Sequence, residues 1–177
     1  ICLLLGFLIS KTNEDFPYYH LPNSLQFALN KLEFGLGNLN HGFKHFSSLF
    51  LINSLFYLPI VEYYLFNITN FMLQIFFFSS LAVILYKNYK NNFTIILALV
   101  SLITYLTKFY RLSEYGADYF GQFLVLLSFI IISLSFSVSK KTAIDKKEIF
   151  LIAMYLMIFA ITTKFLYAIY LLIPMFV

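Results

Sequence analysis

The chain alternates long apolar segments with short polar connections. The apolar segments span residues 64–86, 93–109, 119–138 and 149–177. Each is long enough, or nearly so, for a helix of about 20 residues across a bilayer. Spanning backbone must satisfy its own hydrogen bonds, which leaves helices and closed barrels, and these segments lack the alternation of barrel strands. The pattern therefore predicts an all-α, polytopic transmembrane helical bundle.

The two ends of the chain are also apolar. Ile1–Ile9 is half a span, and the chain stops inside an apolar run at Val177. We therefore expect about six spans, the first and last truncated. Residues 1–177 would form a single membrane domain at the N-terminal part of a longer protein. A signal peptide is the alternative for Ile1–Ile9, but no small-residue cleavage site follows it.

The lysines predict the orientation of the bundle. Lys87 and Lys90 lie in one connection, and a second connection holds Lys140, Lys141, Lys146 and Lys147. The positive-inside rule places both connections, 87–92 and 139–148, in the cytoplasm. Residues 10–62 then form an outer loop, 110–118 form an outer turn, and 63–177 form the bundle. Because the net charge of +4 is spread over connections, it does not indicate a nucleic-acid-binding face.

The outer loop combines amphipathic and polar sequence. Asn23 is a plausible N-cap for a surface helix over His20–Phe34, which carries apolar residues at helical spacing. Phe46–Leu58 has 13 residues before Pro59, which is short for a span, so we expect a re-entrant or interfacial helix. At the other end of the chain, Thr162-Thr163-Lys164 predicts two helices that meet near Lys164. One long tilted helix is the alternative.

Carboxylates in the outer segments are the first candidates for chemistry. Glu14 and Asp15 follow the first apolar run. A carboxylate at a bilayer surface can serve as a general base or a metal ligand, although a solvated acidic pair that ends a helix is the simpler interpretation of the residue types. Glu114 and Asp118 are four residues apart in the second outer turn, so they could share a helical face and bind a divalent cation. Ordinary interfacial charges are the alternative there.

The loop also holds all three histidines of the chain. His41 and His45 have a spacing that suits zinc, but only with a third ligand and helical geometry. Solvated or phosphate-contacting histidines are the simpler interpretation. Several tyrosines, among them Tyr18 and Tyr19, suit an interfacial aromatic belt.

A set of short segments carries a family resemblance. It consists of Asp15-Phe-Pro-Tyr-Tyr-His20-Leu, Gly35-Leu-Gly-Asn-Leu39, Phe46-Ser-Ser-Leu-Phe50 and Asp118-Tyr-Phe-Gly-Gln122. Together with a helix, an acidic outer loop and a multi-span bundle, they resemble the GT-C superfamily of membrane glycosyltransferases. More narrowly, they are similar to an uncharacterised group of large bacterial polytopic membrane proteins.

The resemblance implies a mechanism and a location. Asp15 would be the catalytic base, with Glu14 as its neighbour or substitute, and the donor would be a polyprenyl-phosphate sugar. Glu114 or Asp118, with Asp15, would hold the acceptor or a divalent cation such as Mg²⁺ or Mn²⁺. The phosphate would be neutralised by residues of the outer loop, namely His20, His41, Lys44 or His45. Such an enzyme would act at the outer face of a bacterial inner membrane.

A non-enzymatic transporter or flippase for a lipid-linked or small polar solute is the alternative function. Transport pathways commonly place ionisable groups near the bilayer midplane. The segments 64–86, 93–107 and 119–138 contain none, which favours an enzyme that works at the membrane surface.

Overall fold

A computed structural model describes residues 14–87, 91–108, 116–137 and 146–174. All of the regular elements in these ranges are helical, so the all-α prediction is confirmed. The α-helices are α1 (Leu21–Leu29), α2 (Leu36–Leu39), α3 (Ser48–Ser54), α4 (Ile68–Lys87), α5 (Asn92–Lys108), α6 (Ala117–Ser137) and α7 (Lys146–Thr163). A π-helix covers Phe16–His20, and 3₁₀ helices cover His41–Lys44, Tyr63–Leu65 and Phe165–Leu172.

Two described segments are long and apolar enough to cross a membrane. They are Tyr63–Lys87 and Ala117–Phe136. Helix α5 is apolar but shorter, with 17 residues, and α7 begins with the charged residues Lys146, Lys147 and Glu148. The helices thus follow the predicted apolar segments closely, whereas the total of about six spans remains a prediction.

The chain divides into two compact units. The described part of the first unit is 14–74 with 116–120, and that of the second is 75–87, 91–108, 121–137 and 146–174. In the first unit α1 packs against α3, where Leu49 and Phe50 are fully buried. The same unit has a small hydrophobic core formed by Phe16 and Phe66. The residues packed against it are partly buried: Leu21, Leu25, Phe56, Tyr57 and Tyr63.

The surface helix predicted over His20–Phe34 is shorter, and its predicted cap is wrong. The π-helix runs directly into α1, so the residue before α1, His20, already has helical dihedral angles. Asn23 lies inside α1, where it is 4% exposed, and its carboxamide bonds two backbone carbonyls instead of capping. The helix stops at Leu29 because Asn30 is extended.

The helix predicted over Phe46–Leu58 is reduced to the seven residues of α3. It begins late because Ser47 is extended and acts as the N-cap, with its Oγ accepting a hydrogen bond from Leu49 N–H at 3.2 Å. Serine is a preferred residue at this position. The run is therefore too short to span a bilayer, which agrees with its expected place outside the bundle.

The last apolar run breaks at Lys164, as one of the two sequence interpretations expects. Lys164 is extended (φ −155°, ψ 117°) between α7 and a 3₁₀ helix, so the alternative of one long tilted helix is wrong. The Thr162 and Thr163 hydroxyls donate to the carbonyls of Phe159 and Ala160. Such back-bonding can bend a helix, although Ser128 and Ser133 make the same kind of bond inside the unbroken α6.

The second unit packs an aromatic core with a buried hydroxyl pair. The Phe77 ring lies 4.8 Å from Phe123 and 5.8 Å from Tyr105, measured between ring centroids. Thr94 Oγ1 of α5 and Ser133 Oγ of α6 are hydrogen-bonded at 3.0 Å. Hydroxyl pairs between apolar helices fix their register, because a hydroxyl without a partner is costly in such surroundings.

Gly121 lies close against the end of α7 and the 3₁₀ helix that follows it. A Cβ at Gly121 would overlap the Tyr167 ring and would lie 2.7 Å from Thr163 Oγ1. Gly121→Ala is expected to destabilise the protein because overpacking costs about 1–3 kcal/mol, against about 1 kcal/mol gained in helix propensity. Thermal unfolding in detergent measures the change.

A double-mutant cycle with Tyr167→Ala tests whether the loss of stability in Gly121→Ala comes from contact with the Tyr167 ring. In the Gly121→Ala background, Tyr167→Ala should cost less stability than it does in the wild type, because it removes the ring that the new methyl group meets. Equal costs in both backgrounds would contradict the proposed contact.

Candidate functional site

The first loop acid that the sequence singles out is held by a tyrosine. Asp15 precedes the π-helix, and Tyr19 lies within it. Tyr19 Oη donates a hydrogen bond to Asp15 Oδ2 at 3.2 Å. Asp15 is exposed and Tyr19 is half-buried, so the carboxylate is oriented by a phenol while it still faces solvent. Wide π turns are rare and occur frequently at functional sites.

A second acid, from a distant part of the chain, acts on the same tyrosine. The pKa of Tyr19 is raised to about 12, first by burial, then by the charge of Asp15 and its hydrogen bond, and also by the charge of Asp118. Asp118 lies in the first turn of α6, about a hundred residues along the chain from Asp15. Tyr19 therefore stays protonated at physiological pH and remains a donor, with one carboxylate bonded to it and another nearby.

Imidazole rings pack beside Tyr19. Its ring centroid lies 4.3 Å from that of His20 and 4.8 Å from that of His45. His41 follows at 5.3 Å from His45. His20 is buried, 5.4 Å from the Phe50 ring, whereas His41 and His45 are exposed. The acid–imidazole cluster, defined as Asp15, Tyr19, His20, His41, His45 and Asp118, thus combines two carboxylates with three imidazoles.

Asn23 ties the two parts of the first loop together. Its Nδ2 donates to the carbonyl of Tyr19 at 2.7 Å and to the carbonyl of Gly42 at 3.2 Å. The turn that carries His41 and His45 is fixed further because Asn40 Oδ1 accepts a hydrogen bond from Gly42 N–H at 2.8 Å. One buried carboxamide therefore holds the histidine turn against the π-helix.

Two glycines allow the backbone to approach closely at this site. A Cβ at Gly42 would lie 2.7 Å from the carbonyl oxygen of Tyr18 and 3.2 Å from Tyr19 Cβ. A Cβ at Gly116, just before α6, would lie 3.2 Å from His20 Cε1. The second contact is direct geometric support for the approach of the 116–120 segment to the first loop.

The other predicted site residues are placed as follows. Glu14 is exposed in a turn, and no contact joins it to Tyr19 in the described geometry. Lys44 is exposed, and its Cγ lies 3.0 Å from the point where a Cβ on Gly37 would be. Glu114 lies outside the described residues. The structure therefore brings Asp15 and the three histidines to Tyr19, with Asp118 near enough for its charge to raise the pKa of that phenol. Lys44 lies in the same 3₁₀ turn as His41.

A metal site does not emerge from the described residues. Within them, no three His, Cys, Asp or Glu side chains are close enough to hold one ion. His41 and His45 lie in a 3₁₀ turn and the residue after it, so the α-helical spacing that would favour zinc is missing. The predicted cation site with Glu114 lies partly outside the described residues.

Two important residues were not among those predicted for the site. The sequence pattern suggests an interfacial aromatic belt for Tyr19, although its spacing of four residues from Asp15 also fits a hydrogen-bonded pair on one helical face. For Asn23 the pattern suggests a cap. Its bond to Gly42 spans 19 residues, and no local pattern in the sequence indicates such a partner.

Comparison with known proteins gives a family without an activity. No curated protein and no solved structure matches the chain. A family profile described as a domain of unknown function, DUF8201, matches residues 31–177. The match includes His41, His45 and Asp118, while Asp15 and Tyr19 precede it. Because it covers most of the chain, the protein belongs to the DUF8201 family.

Proposed function

We propose that this protein is a GT-C-like membrane glycosyltransferase, which transfers a sugar from a polyprenyl-phosphate donor to an acceptor at the outer face of a bacterial inner membrane. On this proposal residues 10–62 and 110–118 lie outside, and 87–92 and 139–148 lie in the cytoplasm. The observation that carries it is the arrangement around Tyr19, where Asp15 is hydrogen-bonded and Asp118 is close enough to raise the pKa of the phenol.

Asp15 is the base of the proposed reaction. A carboxylate has two oxygens that accept hydrogen bonds, so one can hold Tyr19 while the other receives the proton of an acceptor hydroxyl. The acceptor oxygen then bonds to the anomeric carbon of the sugar. The bond from that carbon to the phosphate oxygen breaks, and the electron pair leaves with polyprenyl phosphate. Base catalysis of this kind contributes about 10²- to 10⁴-fold to a rate.

The histidine turn supplies positive charge for the leaving phosphate. His41, Lys44 and His45 lie in or next to a single 3₁₀ turn, and His20 packs against Tyr19 behind them. Preorganised positive groups stabilise charge that develops in a transition state. Asp118 is the second carboxylate and would orient the acceptor.

A divalent cation, Mg²⁺ or Mn²⁺, remains part of the prediction from the family resemblance. The described residues include Asp15 and Asp118 but no group of three possible ligands. Glu114, the third predicted ligand, is not among the described residues. No step of the proposed reaction is therefore assigned to a metal ion.

One observation favours the alternative of a transporter or flippase for a lipid-linked or small polar solute. In the first turns of the segment Tyr63–Lys87, Asn67 and Gln74 are 3% exposed. In the described structure Asn67 Oδ1 and Nδ2 and Gln74 Oε1 have no hydrogen-bond partner. Polar groups of this kind in a membrane helix commonly face a partner or a solute path.

A reconstitution assay separates the two functions. The purified protein is placed in proteoliposomes with radiolabelled polyprenyl-phosphate sugar and an envelope extract as acceptor. A transferase releases polyprenyl phosphate in step with sugar that becomes covalently bound to the acceptor. If the labelled lipid instead crosses the bilayer with its sugar still attached, the transporter is supported and the transferase is contradicted.

A further inference from the structure

A groove in the first unit is lined by none of the six residues of the acid–imidazole cluster. It has a volume of about 380 Å³ and is formed by α1, by the segment from Lys31 to Gly37 and by two later aromatic residues. Its apolar lining consists of Phe27, Leu32, Phe34, Leu36, Phe43 and Phe46. Asn23 lines it as well, but Asp15, Tyr19 and His45 do not. This size and lining are typical of sites for small apolar ligands.

The rim of the groove is unusually apolar for a surface. Phe34 is fully exposed, Leu32 is 79% exposed and Phe46 is 63% exposed. Leu29 and Leu39, which flank the groove in sequence, are 57% and 84% exposed. A contiguous patch of large apolar side chains marks a protein or membrane contact rather than a water-facing surface.

Charged groups at the groove favour a membrane contact over a protein contact. Lys31 lines the groove, and Lys44 packs over Gly37, another lining residue. Glu33 is the carboxylate of the lining, so Lys31 of the lining and the neighbouring Lys44 give this part of the surface one positive charge in excess. Lysines beside an apolar surface attract the anionic headgroups of a bilayer, and interfacial segments bury their apolar side to about the headgroup boundary.

We infer that this groove binds an acyl chain of an anionic phospholipid of the surrounding bilayer, with the headgroup phosphate at Lys31. The exposed rim would lie among neighbouring lipid chains, which removes Phe34 and Leu32 from water. Bound in this way, the lipid anchors the segment between α1 and α3 at the membrane surface. The inference does not depend on sugar transfer, since the groove and the acid–imidazole cluster use different side chains.

Lipid photolabelling tests this site. The protein is reconstituted in nanodiscs that contain phosphatidylglycerol with a diazirine in one acyl chain, and crosslinked peptides are mapped by mass spectrometry. We expect labels between residues 27 and 46. Leu36→Trp fills the groove and should reduce this labelling several-fold. Leu39→Trp is the matched control, because Leu39 lies on the same helix α2 but does not line the groove, and should keep it.

Two further labelling experiments test the headgroup contact and the identity of the lipid. Lys31→Glu should remove any preference for phosphatidylglycerol over phosphatidylcholine, and this variant stays informative if Leu36→Trp does not fold. Added polyprenyl phosphate should leave the labelling unchanged. Equal labelling in Leu36→Trp and Leu39→Trp, an unchanged headgroup preference in Lys31→Glu, or displacement by polyprenyl phosphate would each overturn the inference. None of these results bears on whether Asp15 catalyses transfer.

Discussion

Asp15→Asn is expected to lower the rate of sugar transfer by about 10²- to 10⁴-fold, the range that a positioned base contributes. Asparagine keeps the shape of the side chain and can still accept a hydrogen bond from Tyr19 Oη, but it cannot take a proton from the acceptor. Membrane insertion and thermal stability should therefore change little. Initial rates in proteoliposomes, with saturating donor, measure the effect.

Two other acids serve as comparisons. Glu62→Gln removes an exposed carboxylate of the same unit and should leave the rate near that of the wild type. Glu14→Gln tests the neighbouring acid, which the family resemblance offers as a substitute base; because Asp15 is the acid bonded to Tyr19, we expect Glu14→Gln to retain most of the activity. Transfer by Asp15→Asn at the wild-type rate would exclude Asp15 as the base.

Asn23→Leu is expected to cause the second largest loss of transfer rate. Asn23 takes no part in the reaction itself but positions the histidine turn. Leucine is close in size to asparagine but cannot donate to the carbonyls of Tyr19 and Gly42. The histidine turn then loses its tie to the π-helix. A displacement of about 1 Å at a catalytic site can cost about 10²-fold in rate, and each buried carbonyl left without its donor costs about 1–3 kcal/mol of stability.

The measurement compares activity with the folded fraction. We expect the transfer rate of Asn23→Leu to fall far more than its folded fraction at the assay temperature. Asn30→Ala is the matched control, since Asn30 follows the same helix α1 and its side chain makes an exposed bond to Gln26. If Asn23→Leu loses activity only in proportion to unfolding, Asn23 does not position the site.

The sequence predicts the long helices well because their signal is local. Helices α4, α5 and α6 coincide with the apolar segments to within a few residues at most of their ends, since a continuous apolar run both favours a membrane helix and limits its length. The break at Lys164 is local too, because two threonines and a lysine interrupt the apolar run at the residue where the backbone becomes extended.

The loop up to residue 62 is harder to predict because its structure depends on contacts between residues distant in sequence. Asn23 resembles a helix cap in the sequence, but its carboxamide donates a hydrogen bond to the Gly42 carbonyl instead. The π turn at Phe16–His20 has no simple sequence pattern, and it determines how Tyr19 meets Asp15 and His45. The candidate acids and histidines could be selected by residue type, whereas the only sequence signal for Tyr19 is its spacing of four residues from Asp15.

The most direct test of the account asks whether Asp15 and Asp118 lie at one pocket. Cys2 is replaced by Ser, Asp15 and Asp118 are both replaced by Cys, and intact cells are treated with a short membrane-impermeant bifunctional thiol reagent. Asp15→Cys with Lys147→Cys, which is predicted to lie in the cytoplasm, is the negative control. We expect an efficient intramolecular crosslink between positions 15 and 118. If both thiols react singly with the reagent but never crosslink, or if position 118 is shielded from it, the shared pocket and the function proposed for it are contradicted.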